Sequence, residues 1–167
     1  MPRIGGATAA LLLFTAIGAR AGETNLPDAI QAQGETAVIT LHAEGAQVYE
    51  CKAGADGKLV WAFREPIATL FENGKTVGRH YAGPNWEHAD GSAVTAKAVG
   101  NAPGATANDI PLLKLEVTAR RGSGTLANIS TVQRINTVGG KLDGACDKAG
   151  AYRSVSYSAD YVFLRKG

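Results

Sequence analysis

Apolar and polar residues alternate with a period of two along most of the chain from residue 36 onward, and no long stretch keeps a helical period. The alternation is clearest over residues 113–120, where polar side chains separate Leu113, Leu115 and Val117. Such a strand packs one face on a core and exposes the other to water. The pattern predicts nine strands, over residues 36–43, 47–53, 59–64, 68–72, 76–81, 93–100, 112–120, 129–137 and 154–164.

Turn residues separate several of these predicted strands. An Asp-Gly or Asn-Gly dipeptide lies at 56–57, 73–74 and 90–91, and these pairs supply the positive φ angles that tight hairpins need. Hairpins this close together favour an antiparallel sheet. Because a single open sheet of this size would leave one face uncovered, we expect one all-β domain folded as an antiparallel β-sandwich or barrel.

The N-terminus has the three regions of a secretory signal peptide. Arg3 provides the positive charge, an apolar run of about 11 residues follows, and small residues stand at Ala19 and Ala21. The run is shorter than the roughly 20 apolar residues that a membrane-spanning helix needs. We therefore predict a signal peptide over 1–21 and an exported protein, periplasmic or extracellular, with no membrane span in its mature form.

The mature chain is predicted to consist of a lead-in segment over 22–35 and one β-rich domain over 36–167. The lead-in contains Pro27, a residue that favours the start of a short helical turn. The full chain has 17 basic and 15 acidic side chains. Cleavage removes Arg3 and Arg20 and leaves 15 of each kind, so we expect no nucleic-acid partner.

The sequence contains two cysteines, Cys51 and Cys146. Exported proteins fold in an oxidising compartment, where paired cysteines form disulfides. A bond between these two would connect the early strands to the C-terminal part of the domain.

Residues 79–90 form the densest group of chemically useful side chains. A metal site would use His80, Glu87 and His88 as nitrogen and oxygen ligands. A four-residue turn over 82–85 would instead place His80 opposite Glu87 and Arg79 opposite His88, which puts the two histidines on opposite faces of the hairpin.

The same predicted register places Tyr81 beside Trp86. The pair would form either a stacking platform for a sugar or another flat ligand, or an aromatic pair in the core. The predicted strand 129–137 has no wholly apolar face. Arg134 shares its face with Val132 and Asn136, so it either belongs to a buried polar network or binds an anion or carboxylate.

Several short strings resemble a family of small secreted bacterial and fungal proteins that is catalogued only as a domain of unknown function. The resemblance extends from about residue 36 to 164, and the matching strings are Gly45 to Cys51, Gly78 to Trp86 with Asp90 to Ser92, Ile110 to Leu113, and Gln133 to Gly140 with Cys146. It implies export and a single domain, and it implies no activity, ligand or catalytic residue.

Two functions remain open. The first is a non-enzymatic module that binds a small molecule, a glycan or a protein, with Tyr81, Trp86, His88 and Arg134 as candidate contacts. The alternative is a secreted hydrolase or a metal-dependent enzyme centred on His80 and His88, with Glu87 and Asp90 nearby. No complete catalytic motif is present and no cofactor is expected.

Overall fold

A computed structural model describes residues 26–167 of the protein. The predicted signal peptide, 1–21, and the first residues of the lead-in lie outside this described part. No helix among the described residues is long and apolar enough to cross a membrane.

Eight antiparallel strands form one sheet, as the alternation predicted. They are β1 (Glu35–Ala53), β2 (Leu59–Glu72), β3 (Lys75–Tyr81), β4 (Asn85–His88), β5 (Ala93–Ala102), β6 (Leu112–Arg121), β7 (Thr131–Gly139) and β8 (Tyr152–Lys166). Each strand pairs with its neighbours in chain order, and β8 pairs with β1 to close the sheet into a barrel. Closure leaves no unpaired sheet edge, and it decides the choice between sandwich and barrel in favour of the barrel.

Four of the predicted strands merge into two long ones. The predicted gaps at 44–46 and 65–67 are in fact paired parts of β1 and β2, and the two gaps meet where Ala46 pairs with Ile67. Gly45 makes this close pairing possible, because an added Cβ would lie 2.1 Å from the Ile67 carbonyl oxygen.

The three predicted hairpin turns are confirmed at the β1–β2, β2–β3 and β4–β5 connections. Asn73 and Gly74 have φ angles of 50° and 76°, and Gly57 and Gly91 also have positive φ. A two-residue turn with both angles positive matches the twist of the strands it joins.

Strand β4 is not among the predicted strands, and it corrects the predicted register. Tyr81 pairs with Asn85, and His80 pairs with Trp86 rather than with Glu87. The loop therefore has three residues, 82–84. Asn85 is held in the strand by its own side chain, which donates to the Ala82 carbonyl and accepts from Thr95.

One end of the barrel is sealed by the β6–β7 connection, residues 122–130. Leu126 and Ile129 are fully buried there. Asp90 anchors the segment by accepting hydrogen bonds from the Thr125 amide at 2.7 Å and from the Ser92 amide at 2.9 Å. The Leu126 amide donates to the Ser92 hydroxyl at 3.0 Å.

The opposite end carries the long β7–β8 connection, residues 140–151, and the disulfide. Cys51 and Cys146 are bonded, with a Cα–Cα distance of 5.9 Å, as predicted. The Cys146 amide also donates to the Leu59 carbonyl, and the Trp61 amide donates to the Gly144 carbonyl. The connection is thus fixed against β1 and β2.

The lead-in lies across the outer surface of the barrel. It forms a 3-10 turn over Asp28–Ile30 directly after Pro27. Ile30 is fully buried, and its carbonyl accepts a hydrogen bond from the Gln133 side chain at 2.6 Å. Gln133 is therefore buried by the lead-in, on the opposite face of β7 from Arg134.

Candidate functional site

The barrel encloses a cavity of about 760 Å³ that reaches the surface at the end opposite the 122–130 seal. Residues from all eight strands or their connections line it. Four connections lie at its mouth, namely residues 54–58, 82–84, 103–111 and 140–151. An eight-stranded barrel has an interior wide enough for packed side chains or one small ligand.

Aromatic rings form the deep wall of the cavity. The imidazole of His80 stacks on the indole of Trp86, with ring centroids 4.4 Å apart and planes 10° from parallel. The Tyr161 ring lies 4.9 Å from His80 and 5.3 Å from Trp86. All three side chains are buried, so these rings form a closely packed floor beneath the open part of the cavity.

His80 is neutral in this wall. Burial lowers its pKa to about 3, and the nearby charge of Arg134 acts in the same direction. Its Nδ1 lies 2.8 Å from the Asn85 carbonyl oxygen. A carbonyl can only accept, so Nδ1 carries the hydrogen and Nε2 carries the lone pair.

Arg134 brings a positive charge to the cavity. It faces inward between Leu113 on β6 and Tyr161 on β8, and its Nε donates to the Pro111 carbonyl at 3.0 Å. Within residues 26–167 it makes no ion pair with a carboxylate. Its positive charge is therefore not neutralised by a carboxylate of the described part of the chain.

Two further donors in the cavity wall have no acceptor in the described part of the chain. They are Gln47 Nε2 and Trp86 Nε1, on side chains whose residues are 2% and 1% exposed. Leaving a buried donor unsatisfied costs about 1–3 kcal/mol. Other protein atoms cover both donors almost completely, so neither faces the open cavity.

Two tyrosines on β8 are buried next to each other, and Tyr161 lines the cavity. The hydroxyls of Tyr157 and Tyr161 are 3.4 Å apart. Burial raises the pKa of each, and the charge of Arg134 offsets only part of the rise. Both hydroxyls are thus protonated at neutral pH.

The mouth carries its own charges, which are paired. Arg64 lies 3.1 Å from a Glu65 carboxylate oxygen, and Lys141 lies 3.3 Å from one of Asp143. Tyr49 holds the 140–151 connection in place, because its hydroxyl donates to the Gly140 carbonyl at 2.7 Å. Burial raises the pKa of Tyr49, which keeps this donor protonated.

The predicted pairing of Tyr81 with Trp86 is wrong. The one-residue change in register places Trp86 inside the barrel and Tyr81 outside, where its hydroxyl donates to Glu87 at 3.1 Å. Glu87 also accepts from Arg79 and Arg121 at 3.1 and 3.0 Å. The hydrogen bond from Arg79 is the main cause that lowers the pKa of Glu87.

The prediction that His80 and His88 lie on opposite faces of the hairpin is wrong, because His80 pairs with Trp86 and His88 lies two residues further along β4. The three candidate metal ligands nevertheless do not come together. His80 faces the cavity, Glu87 lies in the outer cluster of arginines, and His88 Nδ1 lies 3.0 Å from an Asp90 carboxylate oxygen. His88 does not line the cavity. Among the residues described, no group of three or more His, Cys, Asp and Glu side chains is placed to hold a metal ion.

Gln47, Tyr157 and Tyr161 were not predicted as site residues. Each lies at an alternating position of its strand whose side chain points into the barrel. Core residues occupy the same positions, so the sequence alone does not distinguish these three from ordinary core residues. The β1–β8 pairing brings them to one wall, with Gly45 opposite Tyr157. That juxtaposition depends on barrel closure and is not visible along the chain.

The fold and the cavity define a class: a closed eight-stranded antiparallel barrel, sealed at one end and open at the other. A family model described as protein of unknown function (DUF3455) matches residues 31–165, and the chain belongs to that family. No curated protein and no solved structure matches the chain.

Proposed function

We propose that the protein is an exported, non-enzymatic binding protein that holds a small organic molecule in the barrel cavity. The observation that carries this proposal is the cavity itself, about 760 Å³ in volume. It lies within the range of small-molecule sites, which are concave, mostly apolar and equipped with a few polar groups.

The arrangement of the two barrel ends supports the same function. Leu126 and Ile129 close one end, and the disulfide fixes the 140–151 connection at the other. A site formed in advance loses little conformational entropy on binding.

Export is part of the proposal. It rests on the predicted signal peptide and on the disulfide, because disulfides persist in oxidising compartments. Fractionation of the native host followed by N-terminal sequencing tests it. We expect the protein outside the cytoplasm with Gly22 as its first residue, and a cytoplasmic protein that retains Met1 or Pro2 would contradict it.

Binding is tested with N-phenyl-1-naphthylamine, an uncharged fluorescent probe that brightens in apolar sites. We expect saturable binding of one probe per chain of the purified, oxidised protein. Ala98→Trp places a large side chain in the cavity lining and should weaken probe binding at least tenfold.

The matched control is Lys97→Trp, which adds the same side chain at the neighbouring exposed position. It should bind the probe like the wild type. Non-saturable binding, or equal binding by both tryptophan variants, would show that the cavity is not the site.

A further inference from the structure

The cavity lining combines a charged donor with a neutral one. Arg134 on β7 pairs with Tyr161 on β8, and burial keeps the Tyr161 hydroxyl protonated. Gln47 Nε2 and Trp86 Nε1 also lack a partner in the described chain, but other protein atoms cover both almost completely. A ligand in the open cavity therefore meets Arg134 as its charged donor.

The charge balance of the cavity points the same way. Of the basic side chains in its lining, Arg64 and Lys141 have carboxylate partners, whereas Arg134 has none in residues 26–167. The single acidic residue of the lining, Asp143, is paired with Lys141 at the mouth, and its side chain is 76% exposed. The interior therefore carries one uncompensated positive charge.

The rest of the wall is apolar and partly flat. The stacked rings of His80 and Trp86 and the side chains of Leu113 and Leu115 line the same cavity as Arg134. Neutral His80 adds no second cation. An arginine fork beside an aromatic wall fits an oxyanion attached to an apolar body.

We propose that the ligand is an organic anion, an apolar body with one oxyanion group that Arg134 binds. This inference rests on the proposed function, since it names the chemical class of the molecule in the same cavity. An uncharged ligand would leave Arg134 uncompensated.

Two probes with the same aromatic body test the inference at pH 7.5. These are 8-anilinonaphthalene-1-sulfonate, which carries a sulfonate, and N-phenyl-1-naphthylamine, which does not. We expect the wild type to bind the sulfonate more tightly than the neutral probe. Arg134→Gln should weaken sulfonate binding about tenfold or more, because it removes a charge from an enclosed pair.

The control variant is Arg165→Gln, which removes the same charge from an exposed position outside the cavity lining. It should leave both affinities within about twofold of the wild type. Arg134→Gln should likewise leave the neutral probe within about twofold, since that probe has no group to pair with the guanidinium.

The outcomes separate the two proposals. Equal binding of both probes by the wild type, or unchanged sulfonate binding in Arg134→Gln, would overturn the anion inference and leave the binding barrel intact. Binding of neither probe by the wild type would overturn both. The comparison within the wild type decides the question even where Arg134→Gln fails to fold.

Discussion

His80 is a single buried side chain that makes the stability of this barrel depend on pH. Its pKa falls from an ordinary value of 6.5 to about 3 because burial disfavours the charged imidazolium. The unfolded chain therefore takes up a proton at a pH where the folded protein does not, and stability decreases as pH falls through this window.

This pH dependence should be measurable in the unfolding of the protein. Between pH 6.5 and 5 the free energy of unfolding should fall by up to about 1.4 kcal/mol per pH unit, before the carboxylates begin to titrate. His80→Phe keeps an aromatic ring against Trp86 and removes the titrating group, so the slope should flatten. Urea unfolding at several pH values measures it, and an unchanged slope in the variant would contradict the account.

Asp90 is the residue that holds the sealed end. Hydrogen bonds from Ser92 and from the Thr125 amide lower its pKa well below the usual range. Asp90→Ala should destabilise the protein by about 1 kcal/mol or slightly more, because the carboxylate is partly exposed and water replaces part of each bond.

The same bonds predict the direction of the acid response. A carboxyl group whose pKa is lowered by folding stabilises the protein above its unfolded value of 3.8, and this contribution is lost as pH falls below it. Thermal unfolding of Asp90→Ala and wild type should thus converge toward pH 2. A difference that grows at low pH would contradict this role.

At the scale of elements, alternation in the sequence is sufficient to predict an antiparallel all-β domain and its hairpin turns. The prediction of strand limits fails where the alternation of apolar and polar residues is interrupted. Glu44 to Ala46 show no clear alternation, yet they are paired, because Gly45 lets β2 approach.

The register of the β3–β4 hairpin was not predictable from the sequence. A three-residue and a four-residue loop differ by one position, and one position moves every side chain to the other face. Contacts of Asn85 with Ala82 and Thr95 select the shorter loop. This small difference carries Trp86 into the cavity and leaves Tyr81 outside.

The position of Arg134 was partly predictable from the sequence. Its parity with Val132 placed it on one face of β7, and both side chains do face inward. Whether it belongs to a polar network or to an anion site depended on its neighbours across the barrel, and those come from strands distant in sequence.

The disulfide is an element-scale constraint on the mouth. Double replacement of Cys51 and Cys146 by Ala should cost about 2–5 kcal/mol, because the bond closes a long loop of the unfolded chain. Hydrogen exchange should speed up most in residues 140–151, since β1 and β2 would hold that connection by hydrogen bonds alone. Faster exchange confined to the sealed end would contradict this arrangement.

At the scale of the whole molecule, closure of the sheet explains why the protein has an internal cavity. Eight strands joined in chain order leave no free edge, and the connections fall alternately at two ends. One set, including residues 122–130, seals the barrel, and the other surrounds the opening. The cavity is therefore a consequence of the topology rather than of one loop.

The position of the two tryptophans allows the central claim to be measured directly. Both Trp61 and Trp86 line the cavity, and they are the only tryptophans in the chain. In a ¹H–¹⁵N correlation spectrum each gives one indole signal, which Trp61→Phe assigns. Trp86 reports from the deep wall.

We would titrate ¹⁵N-labelled oxidised protein with 8-anilinonaphthalene-1-sulfonate and follow these two signals. We expect both signals to move with one saturable affinity, because both side chains line the cavity. An unmoved Trp86 signal at probe saturation, with shifts confined to outer-surface amides, would show that the barrel interior is not a binding site.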